Sequence, residues 1–306
     1  MSKERTIAMP SGMGDLHWIM TKMESFKKKN KIDKIKVLMN LDWLTQMNFH
    51  HYSIDYLKLL PFIDSAESVK EPFPFEYALS GGSGFPLLKN IGGCDYVIEF
   101  NSLLEGGVKL KDILPEYETN FDYPIARPPE AEELAKSVKQ KIGDKLVLLF
   151  TATVGGNNVW VKELWTAADW MMLARKIYKK TKCRPVLIGA KWDSDYGQVL
   201  ARLDTDKIIF DLIGKTSLPQ LLALLREADL LIGFQCGVGM MAVQFRTPTV
   251  AFWPIKSRAN PRGQLKRVFM HSWLPPWADE VGYMPFGWGD KDATPNGVYE
   301  AIGRYL

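Results

Sequence analysis

Asp15 is a carboxylate placed where a helix starts, able to cap that helix or to move a proton. It ends the turn Pro10-Ser11-Gly12-Met13-Gly14, which follows a short apolar run. It also opens a stretch in which Leu16, Ile19, Met20, Met23 and Phe26 recur at helical spacing. An acid at such a point has two uses. As a helix cap it accepts a bond from the unpaired amides of the first turn, a role worth about 1 kcal/mol. As a general base it projects beyond a strand and takes a proton from a bound hydroxyl. The local residues alone favour the cap.

Three further turns follow apolar runs and gather small, hydroxyl and amide residues. TATVGGNN, residues 151–158, lets backbone amides approach an anion closely, or is a plain flexible turn. It is not a P-loop, because the Gly-Lys-Ser/Thr ending is absent. GKTS, residues 214–217, opens a helix that Thr216 or Ser217 would cap, with exposed amides that favour a phosphate or a base edge nearby. GFQCGVGMMA, residues 233–242, places Gly237 and Gly239 where a diphosphate could approach the next helix, or where a helix packs tightly on a strand. The order of these turns within one half of the chain is more specific than any one of them.

The elements that must position these residues alternate. Predicted strands at 6–9, 34–41, 96–100, 145–151, 184–189, 207–211, 229–233 and 249–252 interleave with predicted helices at 15–29, 53–60, 130–142, 165–180, 195–203, 217–228, 238–245 and 296–306. That alternation specifies an α/β fold with parallel sheets covered on both faces. Ligands of such sheets bind beyond the carboxyl ends of the strands, where the four turns lie. The stretch 71–93, rich in Pro, Gly and Ser, carries no clear element and is long enough for a substrate loop or an inserted hairpin.

Composition narrows the class. The 306 residues exceed what one core usually serves, so two domains are expected. They are residues 1–128 and 129–292, with 293–306 as a C-terminal helix expected to cross back to the first domain. No run approaches the roughly 20 apolar residues of a membrane span. The N-terminus lacks the apolar core of a secretory signal. Cys94, Cys183 and Cys236 are isolated, which suits a reducing compartment and excludes a disulfide framework or a CxxC zinc site. Four scattered histidines make no metal cluster. A cytoplasmic monomer without integral membrane contact is expected. The net charge of +4 selects no partner class. Ten tryptophans exceed ordinary core use; most should pack, and some should line a ligand surface. The basic run 256–267 could track phosphates, or be an ordinary solvated loop.

The chain resembles the ADP-heptose:lipopolysaccharide heptosyltransferase family of glycosyltransferases. PSGMGDLHWIMTKMESFKKK is similar to that family's N-terminal strand–loop–helix, and DLIGKTSLPQLLALLREADLLIGFQCGVGMMAVQFRTPTVAFWP to its nucleotide-sugar core. The resemblance implies two Rossmann-like doubly wound domains facing each other across a cleft, the GT-B architecture. It implies Asp15 as catalytic base, with Gly12, Met13, Gly14 and His17 on the acceptor side. On the donor side it implies Thr151, Asn158, Lys162, Gly214, Lys215, Thr216, Gln235, Gly237, Val238 and Gly239, with Asp193 near the nucleotide ribose.

The implied reaction is inverting transfer of a sugar from a nucleotide-diphosphate sugar, a co-substrate, with neither metal nor bound cofactor. The acceptor is a surface saccharide, or a hydroxymethylated DNA base as in phage DNA glycosyltransferases. Three positions depart from the family pattern: Asn158 replaces a lysine, with Lys162 close by, Gln235 replaces an aspartate, and Met240 replaces a histidine. Those losses keep open a second class, a nucleotide-sugar-binding protein that has lost catalysis. A nicotinamide dehydrogenase is disfavoured, since no GxGxxG turn is followed by a ribose-binding acid at the usual spacing.

Overall fold

The computed structural model describes residues 3–39, 52–69, 86–100, 103–104, 106–151, 165–253, 270–287 and 290–306. These divide into two compact units. The first holds the described residues up to Ala126 together with Met270–Leu274, and the second holds the remainder. The division falls at Ala126/Arg127, beside the sequence boundary at 128.

In the first unit, β1 (Glu4–Ala8), β2 (Lys34–Met39), β3 (Ser65–Ser68), β4 (Leu87–Ile91) and β5 (Cys94–Ile98) form one sheet in the order β3-β2-β1-β5-β4. β1, β2, β3 and β5 run parallel, whereas β4 pairs antiparallel with β5. α1 (Met13–Lys29) follows β1 and buries Leu16, Ile19, Met20, Met23 and Phe26. The helical spacing of those five side chains is what turns one face of α1 to the sheet. α2 (Tyr52–Lys58) leads into β3. Two strands were not legible in the sequence. β3 reads Ser-Ala-Glu-Ser, with no apolar pattern. β4 lies in the Pro/Gly/Ser-rich stretch and returns to β5 through Gly92 and Gly93, both at positive φ. The rest of that stretch, 71–85, lies outside the described residues.

The second unit runs α3 (Pro129–Ile142), β6 (Val147–Phe150), α4 (Ala167–Thr181), β7 (Val186–Ile188), α5 (Ser194–Leu203), β8 (Phe210–Asp211), α6 (Leu218–Glu227), β9 (Leu230–Phe234), α7 (Gly237–Gln244), β10 (Thr249–Trp253), α8 (Ala278–Val281), β11 (Tyr283–Gly287) and α9 (Pro295–Ala301). Its sheet has the order β11-β10-β9-β6-β7-β8, parallel throughout. Numbered from β6, that is the doubly wound order 3-2-1-4-5-6. β6, β7 and β9 are buried along their whole length, as central parallel strands covered on both faces must be. Their apolar runs pack with Trp165, Trp170 and Phe252 in one core.

The C-terminal helix α9 packs within the second unit. Val298 and the following Ile302 are fully buried in the second unit's core, beside α4. Burying two aliphatic side chains there holds the end of the chain on its own unit. The segment that does join the first unit is Met270–Leu274. Trp273 stacks edge-on against Trp18 at 4.7 Å, and its Nε1 donates to the Val108 carbonyl at 2.7 Å.

Candidate functional site

Each sheet reverses direction at one place, and ligands of open α/β sheets bind beside such reversals at the strands' carboxyl ends. In the first unit the reversal lies between β1 and β5. The turn after β1 is Met9–Gly12, and α1 starts directly behind it. Gly12 is the N-cap of α1 and provides no side-chain cap, so Asp15 stands three residues beyond the cap, in the first turn. The Asp15 side chain bends back over Gly12, with Oδ2 2.7 Å from where a Cβ at Gly12 would lie. Only glycine leaves that space. Asp15, Met13 and Gly14 are half-buried and Gly12 is exposed. The positive end of α1 favours a carboxylate in this turn.

His17 sits elsewhere. It is 1% exposed, its Nδ1 shares a 2.8 Å hydrogen bond with the Tyr123 hydroxyl, and its ring leans on Phe121 and Tyr123. Tyr123 in turn bonds the buried Tyr56 hydroxyl. Burial raises the Tyr56 phenol well above its ordinary pKa, with Tyr123 adding to the effect. The His17 Nδ1 bond ties α1 to the segment around Tyr123.

In the second unit the reversal lies between β6 and β9. Phe150 is in register with Gly233 and with Ile188, so Thr151 ends β6 flanked by the ends of β9 and β7. Thr151 is fully buried, and among the described residues its hydroxyl has no hydrogen-bond partner. An unpaired buried hydroxyl costs about 1–3 kcal/mol, a cost that a bound polar ligand would remove.

Gln235 follows β9 directly, and its backbone N–H donates to Phe252 at 3.0 Å. Its Oε1 accepts from the Tyr283 hydroxyl at 3.2 Å, and Tyr283 accepts from Trp253 Nε1 at 2.9 Å. Cys236 is the N-cap of α7, and Gly237, Val238 and Gly239 form the first turn. Burial pushes the Cys236 thiol up to about 11, the amides of Gly239 and Val238 pull against that, and the charge of Asp193 adds to it. At Gly239 a Cβ would lie 3.6 Å from Gln235 Oε1, an ordinary contact, so close packing does not demand glycine there.

Asp193 closes a short 3-10 turn after β7 and is 5% exposed. Its Oδ2 accepts the Ala190 N–H at 2.8 Å. Burial raises its carboxyl to about 6, with the Ala190 bond pulling the other way. The turn after β8 is fastened alongside: Gly214 N–H donates to the Gly189 carbonyl at 2.9 Å. Gly214 has φ +65°, and a Cβ there would stand 3.1 Å from Lys191 Cα. Both the backbone and the space require glycine. Lys215 Nζ is held by Asp211 Oδ2 at 2.6 Å, a contact between two exposed groups. Thr216 is half-buried, and Ser217 is the N-cap of α6, its N–H donating to Gln220 Oε1 at 2.9 Å.

The carboxyl edge of the second sheet thus carries Thr151, Asp193, the Gly214–Thr216 turn and Gln235–Gly239. Asn158, Lys162 and the basic run 256–267 lie outside the described residues. Trp18, Trp165, Trp170, Trp253 and Trp273 are packing residues, while Trp192, beside Asp193, and Trp277 are half-buried. Sequence reasoning missed Tyr283, whose hydroxyl donates to Gln235 Oε1. Tyr283 opens β11, whose sequence Tyr-Met-Pro-Phe-Gly carries a proline and no clear alternation. Among the described residues no group of three or more His, Cys, Asp or Glu is placed to hold a metal ion, and no helix is long and apolar enough to cross a membrane.

Solved structures share this fold over nearly the whole chain. E. coli ADP-heptose LPS heptosyltransferase II matches with a TM-score of 0.62 and 14% identity, over 99% of this chain and 98% of that one. A glycosyl transferase family 9 protein from Veillonella parvula gives 0.59 and 13%, over 100% and 91%. E. coli heptosyltransferase WaaC, solved with ADP-2-deoxy-2-fluoro heptose, gives 0.54 and 13%, over 98% and 100%. No curated protein matches the sequence. The fold is GT-B, and the chain is a glycosyltransferase. Within that class it is a divergent, heptosyltransferase-like protein: residues 112–263 match the family model described as glycosyltransferase family 9 (heptosyltransferase).

Proposed function

We propose that the protein moves a sugar from a nucleoside-diphosphate sugar to a saccharide hydroxyl, by one displacement that inverts the anomeric carbon. The observation that supports this reading is the buried Thr151 hydroxyl, without a partner among the described residues, at the reversal of the second sheet where Gln235 and the first turn of α7 follow β9. A nucleoside diphosphate would supply the missing partner there. Asp193, after β7, would face the ribose.

Asp15 takes the proton from the acceptor hydroxyl as that oxygen bonds to the anomeric carbon. The bond from that carbon to the diphosphate breaks, and its electron pair leaves with the phosphate oxygen. Negative charge grows on the diphosphate as it departs, and preorganised N–H donors near the α7 start stabilise it in the role a metal ion plays elsewhere. The transfer needs no bound cofactor on this reading. ADP-linked heptose, which WaaC binds in its solved structure, is one donor to try, although Gln235 and Met240 change the groups facing the sugar.

The test is mass spectrometry of oligosaccharide and hydroxymethylated-DNA acceptors incubated with nucleotide sugars. Transfer to a saccharide, abolished in Asp15→Ala with the melting temperature kept, is the expected result. Transfer to DNA alone would replace the acceptor assignment. Nucleotide-sugar binding without any turnover would leave a binder in place of an enzyme.

A further inference from the structure

We infer that α2 sets the position of the proposed base: Ser53, through the Ser11 carbonyl, and Tyr56, through Tyr123 and His17, are positioning residues for Asp15. The inference rests on the reading of Asp15 as the group that takes the acceptor proton. It adds the two side chains that hold that carboxylate in place.

Both grips come from one face of one short helix. Ser53 and Tyr56 lie three residues apart on α2, the spacing that puts two side chains on the same side of a helix. Ser53 is buried, and its hydroxyl donates to the Ser11 carbonyl. That carbonyl belongs to the peptide joining Ser11 to Gly12. A peptide unit is planar, so holding its oxygen fixes the direction in which the chain enters Gly12. The Asp15 carboxylate lies over Gly12, with Oδ2 2.7 Å from the missing Cβ, and the Gly12 carbonyl accepts the Leu16 N–H at 2.9 Å. The turn is thus held by α2 on one side and by α1 on the other.

The second grip acts behind Asp15. Tyr56 is fully buried, and burial keeps its phenol neutral. Its hydroxyl bonds that of Tyr123, which shares the 2.8 Å bond with Nδ1 of His17, two residues beyond Asp15 on α1. The segment carrying Tyr123 is itself tied to both helices. Asn120 N–H donates to the Thr21 carbonyl of α1 at 2.6 Å, and Ala126 N–H donates to the Leu59 carbonyl, directly after α2, at 2.7 Å. Apolar contacts alone would let α1 and α2 slide, whereas a chain of buried hydrogen bonds is satisfied in one geometry only. A base has use for that precision, because misplacing a reacting group by about 1 Å costs on the order of 100-fold in rate.

Steady-state transfer by Ser53→Ala and Tyr56→Phe tests this, with the saccharide acceptor and whichever ADP-, UDP- or GDP-sugar the wild type turns over. Each variant should lose kcat on the order of tenfold, a part of the penalty for a 1 Å displacement, with the donor KM little changed. Adding Gly12→Ala, which displaces the same carboxylate, should cost less in either variant than in the wild type. A merely structural role would lower the melting temperature and leave kcat per folded molecule unchanged. The two variants probe separate grips, so either can be read should the other fold poorly. Wild-type kcat in both, with Asp15→Ala inactive, would overturn the inference and leave the nucleotide-sugar reading intact. Transfer that survives Asp15→Ala, or no transfer by the wild type, would remove the base and its supports together.

Discussion

The Asp15 carboxylate fills the place that a side chain on Gly12 would need, with Oδ2 2.7 Å from that residue's absent Cβ. The cap of α1 and its acid are thus one unit of geometry. Gly12 has φ −73° and ψ 127°, values open to any residue. Glycine is needed there for room alone.

Gly12→Ala therefore displaces the carboxylate without straining the backbone. Sugar transfer should fall on the order of 10–100-fold, the penalty of moving a reacting group by about 1 Å. Thermal unfolding should be nearly unchanged. A variant of full activity would show that the position of Asp15 is immaterial to the reaction.

Thr151→Val should move stability and affinity in opposite directions. Removing a buried hydroxyl with no partner stabilises the empty protein by about 1 kcal/mol. The same change removes a contact for the ligand, so nucleoside diphosphate affinity should fall several-fold. Calorimetry read beside the melting temperature separates the two. A loss in both would mean that the hydroxyl already has a structural use.

Asp193 gives a dependence on pH. Its carboxyl titrates near 6 in the folded protein against an ordinary 3.8, so between those values the folded state holds more proton than the unfolded chain. Stability from this group is greatest below pH 3.8, declines as pH rises to about 6, and is level above that. Asp193→Asn, which avoids burying the charge, should be the more stable form at pH 7 by something on the order of 1–3 kcal/mol. The gap should close toward pH 4 in thermal melts of both forms. A constant gap across that range would show that charge burial is not its cause.

Ile302→Ala should cost about 2–4 kcal/mol, as truncation of a fully buried aliphatic side chain does. Hydrogen exchange should report the loss in the second unit, around α4, while α1 and β1 keep their protection. Loosening confined to the first unit would contradict the packing of α9.

Much of this was legible in the residues. The apolar runs at 147–150 and 230–234 read as central strands because a parallel sheet buried on both faces leaves no polar alternation. The five apolar positions of α1 and the turns at strand ends were equally plain. What the sequence hid depended on partners far away in the chain. The Nδ1 partner of His17 is Tyr123, 106 residues on, which no local pattern announces. Lys215, by contrast, pairs with Asp211, four residues earlier. β11 is a strand because β10 pairs with it, despite Pro285. The apolar face of the C-terminal helix specifies burial without saying against what; Val298 and Ile302 bury in the second unit's core.

Trp273 carries a practical lesson for dissecting the protein. It is a fully buried aromatic of the first unit, yet residues belonging to the second unit flank it on both sides along the chain. Neither half is a continuous piece of the gene. A fragment ending at Ala126 would be synthesised without the indole that seats on Trp18, leaving an apolar socket open to water. Its complement would display an orphan tryptophan. Expression of either half alone should yield sticky, poorly cooperative material, and swapping halves between related proteins would require three splice points where a conventional two-domain exchange uses one.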